Sequence, residues 1–273
     1  MSSSLFVVGL SLAVLVIPTP ARAIFTFAAS GANPAAIQAQ VDAFRADLGA
    51  LNPNVAGSFG TGRREINWDG VPNNLAAPNN LPANFFNVNS PRGVVFSTPG
   101  TAFQVSGNDG VAPIEFGNLD PAYPGLFAPF SAQRLFTAIG SNIVDVNFFI
   151  PGSATPALTR GFGSVFTDVD SDGSTSIEYF SAANVSLGKF FVANATGNQT
   201  LSFFGASFDA PVVSRVRITS GNQLLAPGNT TGDVVAMDDF IYGEPVPEPA
   251  GAIFGLMTAL VPMCARVRRK RAV

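Results

Sequence analysis

The 273-residue sequence predicts a mainly β protein: an antiparallel β-sandwich of jelly-roll type with one N-terminal amphipathic helix and a C-terminal membrane helix. Short segments rich in Phe, Val and Ile follow one another along most of the chain, separated by clusters of Gly, Asn, Pro and Ser. Regularly spaced short strands between turn signals are typical of antiparallel sandwiches. One early segment has a helical period instead, and one late segment is a continuous apolar run.

The chain begins with an apolar segment that is typical of a secretory signal peptide. Residues 5–17 are apolar, and Ala21 and Ala23 supply the small side chains that signal peptidase requires at positions −3 and −1. About 13 apolar residues are too few to cross ~30 Å of hydrocarbon as a helix. We therefore predict that residues 1–23 direct the chain to the Sec translocon and that signal peptidase cuts after Ala23.

The segment between the two ends is acidic and has no thiol. Glu248 is the one acidic residue of 18 outside residues 24–245, whereas six of the 15 basic residues lie outside them. This segment therefore carries 17 acidic and nine basic side chains, a net charge of −8. An acidic domain is a poor partner for nucleic acid or anionic lipid. Since the single cysteine is Cys264, no disulfide is expected and stability must come from core burial.

Histidine is absent from the whole sequence. Ser-His-Asp and Cys-His catalysis need an imidazole as the base, and the usual zinc sites need one as a ligand. These classes of active site are excluded by composition.

The first predicted element of the domain is a helix over residues 34–48. Asn33 is a favourable N-cap, Pro34 suits the first helical position, and Gly49 suits the position after the helix. Apolar side chains recur between them at helical spacing, at Ile37, Val41, Phe44 and Leu48. The helix is expected to pack this stripe on the rest of the domain.

Strands are predicted for most of the domain after this helix. Apolar or alternating segments bounded by turn residues lie at residues 93–98, 143–150, 162–169, 175–181, 189–193, 200–208, 212–219 and 233–243. Residues 71–89, rich in Asn and Pro, are predicted to be a long loop that covers the domain rather than a linker.

Three alternating acidic residues form the most specific local motif within the domain. Asp168, Asp170 and Asp172, followed by Gly173, match the first half of an oxygen-rich calcium loop. The position of the closing glutamate holds Tyr179, so a complete EF-hand is not expected. Two interpretations remain open: a tight solvated turn between strands, or a structural calcium site. Further oxygens for calcium could come from Asp145, Asp238 and Asp239.

Carboxylates on a sandwich could also form a glycosidase pair. No spacing in the sequence selects such a pair, and sugar subsites usually present Trp or Tyr. One Trp and three Tyr stand against 25 Phe, a composition typical of core filling. No catalytic residue is predicted, and the domain is expected to be non-enzymatic.

Residues 62–70 bring two arginines, two acidic residues and Trp68 into one short run. One interpretation is a strand with Ile66 and Trp68 packed inward and arginine–carboxylate pairs at its rim. The functional alternative is a ligand patch around Trp68.

The C-terminal residues 246–273 have three consecutive parts. Val246, Pro247, Glu248 and Pro249 form a short motif, and the apolar run of residues 250–265 then begins at Ala250 and ends at Ala265. As a helix this run measures roughly 24 Å, short of the ~30 Å hydrocarbon core. A basic end comes last, with Arg266, Arg268, Arg269, Lys270 and Arg271. Basic residues stay on the cytoplasmic side, so the domain is expected outside.

This order of motif, apolar run and basic end resembles the PEP-CTERM sorting signal of Gram-negative and related environmental bacteria. The resemblance implies that a membrane protease of the exosortase type recognises the tail and cuts it near Pro247-Glu248-Pro249. It also implies a protein of the cell surface, biofilm or exopolysaccharide matrix. The body, residues 24–245, is similar to an uncharacterised group of such exported proteins, which brings no activity with it.

The expectation is therefore an exported bacterial surface or matrix protein that crosses the inner membrane and is held there briefly by its tail. The alternative is a calcium-dependent carbohydrate-binding module of the exopolysaccharide matrix, and a glycoside hydrolase is a distant third.

Overall fold

The computed structural model describes residues 23–107 and 114–248. Within them the chain is mainly β, with antiparallel sheets and few helices, which confirms the predicted class. The predicted signal peptide before Ala23, Pro249, the apolar run and the basic end lie outside the described residues. None of the described helices is long and apolar enough to span a membrane.

Fourteen strands and two α-helices make up the described chain. The helices are α1 (Pro34–Leu48) and α2 (Phe85–Val88). The strands of the first half are β1 (Ile24–Gly31), β2 (Arg63–Ile66), β3 (Val94–Ser97), β4 (Ala102–Val105), β5 (Phe136–Ile139), β6 (Ile143–Phe148) and β7 (Ala157–Leu158). The strands of the second half are β8 (Gly161–Thr167), β9 (Ser176–Phe180), β10 (Ser186–Phe191), β11 (Leu201–Phe208), β12 (Arg215–Thr219), β13 (Ala236–Gly243) and β14 (Val246–Pro247).

Two antiparallel sheets pack on a shared core. The first has the order β1-β11-β8-β13-β5-β4, with β2 also paired to β13, and the second has the order β10-β9-β12-β6-β3. Side chains of both sheets join one cluster, for example Phe162 and Phe204 from the first and Val146 and Tyr179 from the second. Successive side chains of a strand point to opposite faces of the sheet. In β12, Val216 and Ile218 are therefore buried in the shared core, whereas Arg215 and Arg217 lie on the outer face.

Helix α1 covers the outer face of the first sheet. It spans Pro34–Leu48, the range that the sequence predicts, and the Asn33 side chain accepts a hydrogen bond from the Ala36 N–H at its start. Its buried stripe packs against a second apolar cluster that includes Phe203 and Ile241 of the sheet. The first sheet is therefore covered on both faces, whereas the second sheet keeps one polar face.

Residues 71–89, predicted to be a covering loop, lie against one side of the two sheets, but they include the short helix α2. Its backbone bonds to the edge of β4, where Ala77 N–H donates to the Val105 carbonyl at 2.7 Å and Leu81 N–H to the Phe103 carbonyl at 2.8 Å. It also reaches the edge of β3, where Ala83 accepts a bond from the Phe96 N–H.

Strands β1, β4 and β5 were not predicted. Strand β1 ends in Ala, Ala, Ser and Gly, which carry little strand propensity, and β4 and β5 have four residues each, too few to show a clear alternation. All three obtain their pairing from distant segments, such as β1 from β11. Tertiary pairing, rather than local propensity, decides these strands.

Candidate functional site

The described part of the sorting motif lies on the surface of the fold. Val246 and Pro247 form β14 and pair with Leu158 and Ala157 of β7. Pro247 and Glu248 are exposed. The predicted domain end at residue 245 therefore falls just before a strand that still belongs to the fold, and the motif leaves the body directly from that strand.

The predicted calcium residues lie on the loop between β8 and β9. Asp168 immediately follows β8 and adopts a φ of 69°, a left-handed conformation that Asp tolerates better than most residues. It is 3 % exposed, whereas Asp170 and Asp172 are exposed. The three carboxylates are therefore not equivalent, and Asp172 lies on the solvent side of the turn.

A distant carboxylate, Asp233, organises this loop. Its Oδ1 accepts a hydrogen bond from the Asp170 N–H at 3.1 Å, and its Oδ2 accepts one from the Ser171 N–H at 3.3 Å and one from the Ser174 hydroxyl. Asp233 is buried and lies three residues before the start of β13. The sequence carries no signal for this contact, because about 60 residues separate the two partners.

The loop concentrates negative charge without a cationic partner. Burial, with Asp170 and Asp233 nearby, raises the pKa of Asp168 to about 7. Burial and Asp233 also raise the pKa of Asp170. No lysine or arginine forms an ion pair with these carboxylates in residues 23–107 and 114–248. Oδ1 of Asp168 is buried and has no hydrogen-bond partner.

The acidic side chains named by the sequence do not all lie in this loop. In the described chain, no group of three or more His, Cys, Asp or Glu side chains is placed to hold a metal ion. Both oxygens of Asp233 accept bonds from the loop itself. The further donors named by sequence lie elsewhere: Asp145 pairs with two arginines of β12, and Asp238 and Asp239 lie in β13.

Asp238 and Asp239 form a buried pair of carboxyl groups. They occupy the irregular part of β13, where the register with β8 shifts between Met237 and Phe240. Oδ2 of Asp238 accepts the N–H of Phe130 at 2.6 Å and that of Ser131 at 3.1 Å. The Ser131 hydroxyl donates to Asp239 at 2.8 Å.

The two members of this pair titrate differently. Burial and the adjacent Asp239 raise the pKa of Asp238 well above its usual range. Burial raises the pKa of Asp239 to about 6, while the Ser131 hydroxyl and Arg45 oppose the rise. The fold therefore opposes ionisation of both carboxyl groups, and it opposes that of Asp238 more strongly.

An arginine network closes this region towards solvent. Arg45 of α1 donates from Nη2 to Oδ2 of Asp239 at 3.2 Å. It also donates to both carboxylate oxygens of Glu65 of β2, from Nε at 3.0 Å and from Nη2 at 2.9 Å. Arg63 adds a third bond to Glu65 at 2.6 Å. The carboxyl pair therefore lies under a rim of charged side chains that fastens α1 to the first sheet.

Trp68 lies in the core rather than in a ligand patch. It is 1 % exposed, and its ring stacks on Phe136 with centroids 4.1 Å apart and planes 3° apart. Phe86 and Phe240 contact it edge-on. No ring face is left for a ligand, because aromatic neighbours from both sheets and the covering loop enclose it.

A small cavity of about 190 Å³ lies at the end of α1. Its lining includes Leu48, Gly62, Arg160, Pro211 and Glu244. Arg160 and Glu244 are already engaged, Arg160 with Asp47 and Glu244 with Arg64. The charged ends of both side chains are therefore paired within the protein, although Nε of Arg160 is buried without a hydrogen-bond partner.

Comparison with known proteins adds little. No family model matches the chain, and no curated protein matches it. Among solved structures, the enzymatically active domain of tailspike protein 4 from bacteriophage CBA120 is similar over 70 % of this chain, with 16 % identity and a TM-score of 0.26. The match spans 23 % of that structure. A likeness this distant carries no argument about activity.

Proposed function

We propose that this chain is an exported bacterial protein, sorted through a cleavable PEP-CTERM tail to the cell surface or the extracellular matrix. The observation that carries the proposal is the order of the last 28 residues: the Val-Pro-Glu-Pro motif, a short apolar run and a basic end. The surface position of Pro247 and Glu248 supports it, because a protease needs the motif outside the packed core.

In this proposal the ends of the chain serve transport and the middle is the working protein. Sec and signal peptidase act on residues 1–23, and the apolar run holds the protein in the inner membrane. An exosortase-type protease then cuts near Pro247-Glu248-Pro249. An apolar run that is short for a stable anchor suffices, since it has to hold the protein only until cleavage.

The body is proposed to be a non-enzymatic β-sandwich of jelly-roll type. Two antiparallel sheets that share one apolar cluster support this architecture. Asp238 and Asp239, two buried carboxyl groups with raised pKa values, lie beneath Arg45 and accept hydrogen bonds from Phe130 and Ser131. Such groups serve folding rather than turnover.

Intact mass of the protein from its native host tests the proposal. We expect a mass that begins at Ile24 and ends within residues 247–249, with any attached group as an additional mass. Glu248→Gln and Pro249→Ala should leave the uncut tail on the chain. Asp209→Asn, an exposed acidic position outside the motif, is the matched control and should be processed normally. A wild-type protein that retains residues 250–273 would contradict the proposal.

A second candidate, a calcium-dependent carbohydrate-binding module, is favoured by one observation. The buried, unpartnered Oδ1 of Asp168 faces a loop whose acidic residues have no cationic partner in the described chain. A calcium ion would neutralise this charge if the loop rearranged. A single site at 100 times its Kd would stabilise the protein by about 2.7 kcal/mol.

Thermal unfolding with calcium and with EDTA distinguishes this candidate from the first. Calcium binding predicts a melting temperature that rises with the ion, and a rise that Asp168→Asn abolishes and Asp172→Asn does not. An identical melting temperature in calcium and EDTA removes the metal. A glycan array that stays silent in calcium removes the carbohydrate ligand. Turnover of a polysaccharide that Asp238→Asn abolishes would instead favour the third candidate, a glycoside hydrolase.

A further inference from the structure

The edge strands at the two sides of the paired sheets differ in whether another described segment covers their outer edges. On one side, β4 and β3 lie next to each other and the loop at residues 71–89 bonds to both. On the other side, β1 and β10 are the outer strands, and no described segment pairs with their outer edges. Phe190 of β10 stacks on Phe204 of β11, the neighbour of β1, which places both outer strands on one flank. We call this pair of edges the open flank.

The register of the first sheet identifies which groups of β1 are free. Between β11 and β8, Asp168 N–H bonds to the Thr200 carbonyl and Phe208 N–H to the Arg160 carbonyl. Even-numbered residues of β11 therefore bond to β8, and odd-numbered ones bond to β1. Residues 25, 27, 29 and 31 of β1 are their partners. The N–H and C=O groups of Ile24, Thr26, Ala28 and Ser30 consequently point away from the sheet.

The exposed edge of β1 lacks the features that keep edge strands apart. Its eight residues, IFTFAASG, include no charged residue and no proline. Charged side chains, prolines and bulges are the usual protection against edge-to-edge pairing. The strand also exposes apolar surface, with Phe25 49 % and Ile24 39 % exposed. By contrast, β10 on the same flank carries Lys189 and an irregular register at Gly188.

We propose that β1 is a self-association surface, which pairs antiparallel with β1 of a second copy of this chain around a two-fold axis at Phe27. In this register Thr26 lies opposite Ala28 of the second copy, and Ile24 lies opposite its Ser30. Those are the residues whose backbone groups are free. The pairing satisfies them and joins the two first sheets into one.

Charge and side-chain size favour a second copy over another partner. The rest of residues 24–245 carries the whole net charge of −8, so most contacts between copies would be repulsive. Strand β1 is neutral, and pairing it with itself brings no like charges together. The register also sets Phe25 against Ala29 and Ile24 against Ser30, a large side chain against a small one each time.

Hydrogen exchange of the exported protein tests the pairing at the level of single amides. In the dimer, the amides of Thr26 and Ala28 should become protected as protein concentration rises, while those of Phe25 and Phe27 stay protected throughout because they bond to β11. Light scattering should show twice the protomer mass over the same concentrations. A protomer mass at every concentration up to about 1 mM, or fast exchange at Thr26 and Ala28 in a dimer, would overturn the proposal.

Two variants locate the surface, with one matched control. Ala28→Pro removes a free N–H without touching the bonds to β11, a substitution that edge strands tolerate. Thr26→Lys places two positive charges near each other across the axis. Each should raise the dissociation constant at least 10-fold. Ser97→Lys adds the same charge to β3 on the covered flank and should leave it unchanged.

The unfolding transition of each variant protomer, followed by circular dichroism, confirms that it folds. If Ala28→Pro does not fold, the proposal is tested by the dissociation constant of Thr26→Lys together with the hydrogen exchange of the Thr26 and Ala28 amides in the wild type. A dimer that persists in both β1 variants would contradict the proposal. Its interface would then lie on another surface, for example at the C-terminal tail.

Discussion

Arg64 and Glu244 form a fully buried ion pair although 180 residues separate them in the sequence. The Arg64 Nε lies 2.6 Å from Oε2 of Glu244, and its Nη2 lies 2.9 Å from Oε1. The remaining guanidinium hydrogens bond to the carbonyls of Pro53, Gly57 and Pro91. The pair therefore fastens the loop after α1 and the loop before β3 to the end of β13.

Breaking this pair should be strongly destabilising. We expect Arg64→Ala to lower the free energy of unfolding by about 3–5 kcal/mol, because Glu244 would be left charged and buried. Urea unfolding measures the loss. Arg217→Ala, which removes a partly exposed partner of Asp145, should cost less than about 1 kcal/mol and serves as the control. Equal losses in the two variants would contradict the buried network.

Stability should fall as pH rises from about 4 to about 7. Asp168, with a pKa raised to about 7, and Asp239, with a pKa raised to about 6, bind protons in the folded state that their unfolded forms have already released. Since the folded state holds more protons in this window, the free energy of unfolding decreases as pH rises, and the raised pKa of Asp238 adds to the decrease. Thermal unfolding at intervals of pH measures the slope.

Asp168→Asn should remove much of that slope. We expect the variant to be more stable than the wild type at pH 8, by at least ~1 kcal/mol, because the amide avoids a buried charge. Asp172→Asn, in the same turn but exposed, should leave the pH dependence as it is. An Asp168→Asn variant with the wild-type slope would show that Asp168 is not the group that titrates.

Asp238→Asn should destabilise the protein less than Asp238→Ala. Burial and Asp239 raise the pKa of Asp238 and so disfavour its charged form; Asp238→Asn is neutral, keeps the shape, and its oxygen can still accept the N–H groups of Phe130 and Ser131. Asp238→Ala leaves those donors unsatisfied and should cost about 1–3 kcal/mol more than the amide. Denaturant unfolding at pH 7 separates the two variants. If Asn is the more damaging, the side chain is ionised in the fold.

Trp68→Ala should be among the most destabilising substitutions, at about 3–5 kcal/mol, since the ring fills the space between both sheets and the covering loop. Phe191→Ala removes an exposed ring and should change stability by less than about 0.5 kcal/mol. Calorimetry compares the two. A small effect at Trp68 would contradict its position in the core.

The sequence predicted those helices and strands whose apolar residues recur with a regular helical or strand period. Helix α1 has an N-cap, a helical apolar stripe and a terminal glycine within 17 residues, so its limits can be read from the sequence. Strands β6, β8, β9 and β11 lie within or closely match the predicted segments for the same reason. Arg64 was expected in a pair at the rim of its strand and is instead buried, because its partner Glu244 comes from the far end of the chain.

The acidic loop between β8 and β9 likewise shows that local sequence does not reveal partners from distant parts of the chain. Sequence spacing selected Asp168, Asp170 and Asp172, since regular alternation is all that a calcium pattern contains. The structure buries the first, leaves the third in solvent and introduces Asp233 from a distant segment. No local signal marks Asp233.

The sequence by itself determined the mainly β class, the position of α1 and the absence of histidine chemistry, since composition and short-range periodicity carry that information. It also contains the three-part tail on which the proposed sorting rests. Only the tertiary structure decided that Asp238 and Asp239 are buried side by side, that Trp68 is enclosed and that no described segment pairs with the outer edge of β1. These depend on which distant strands meet, because burial and pairing arise when separate segments are brought into contact.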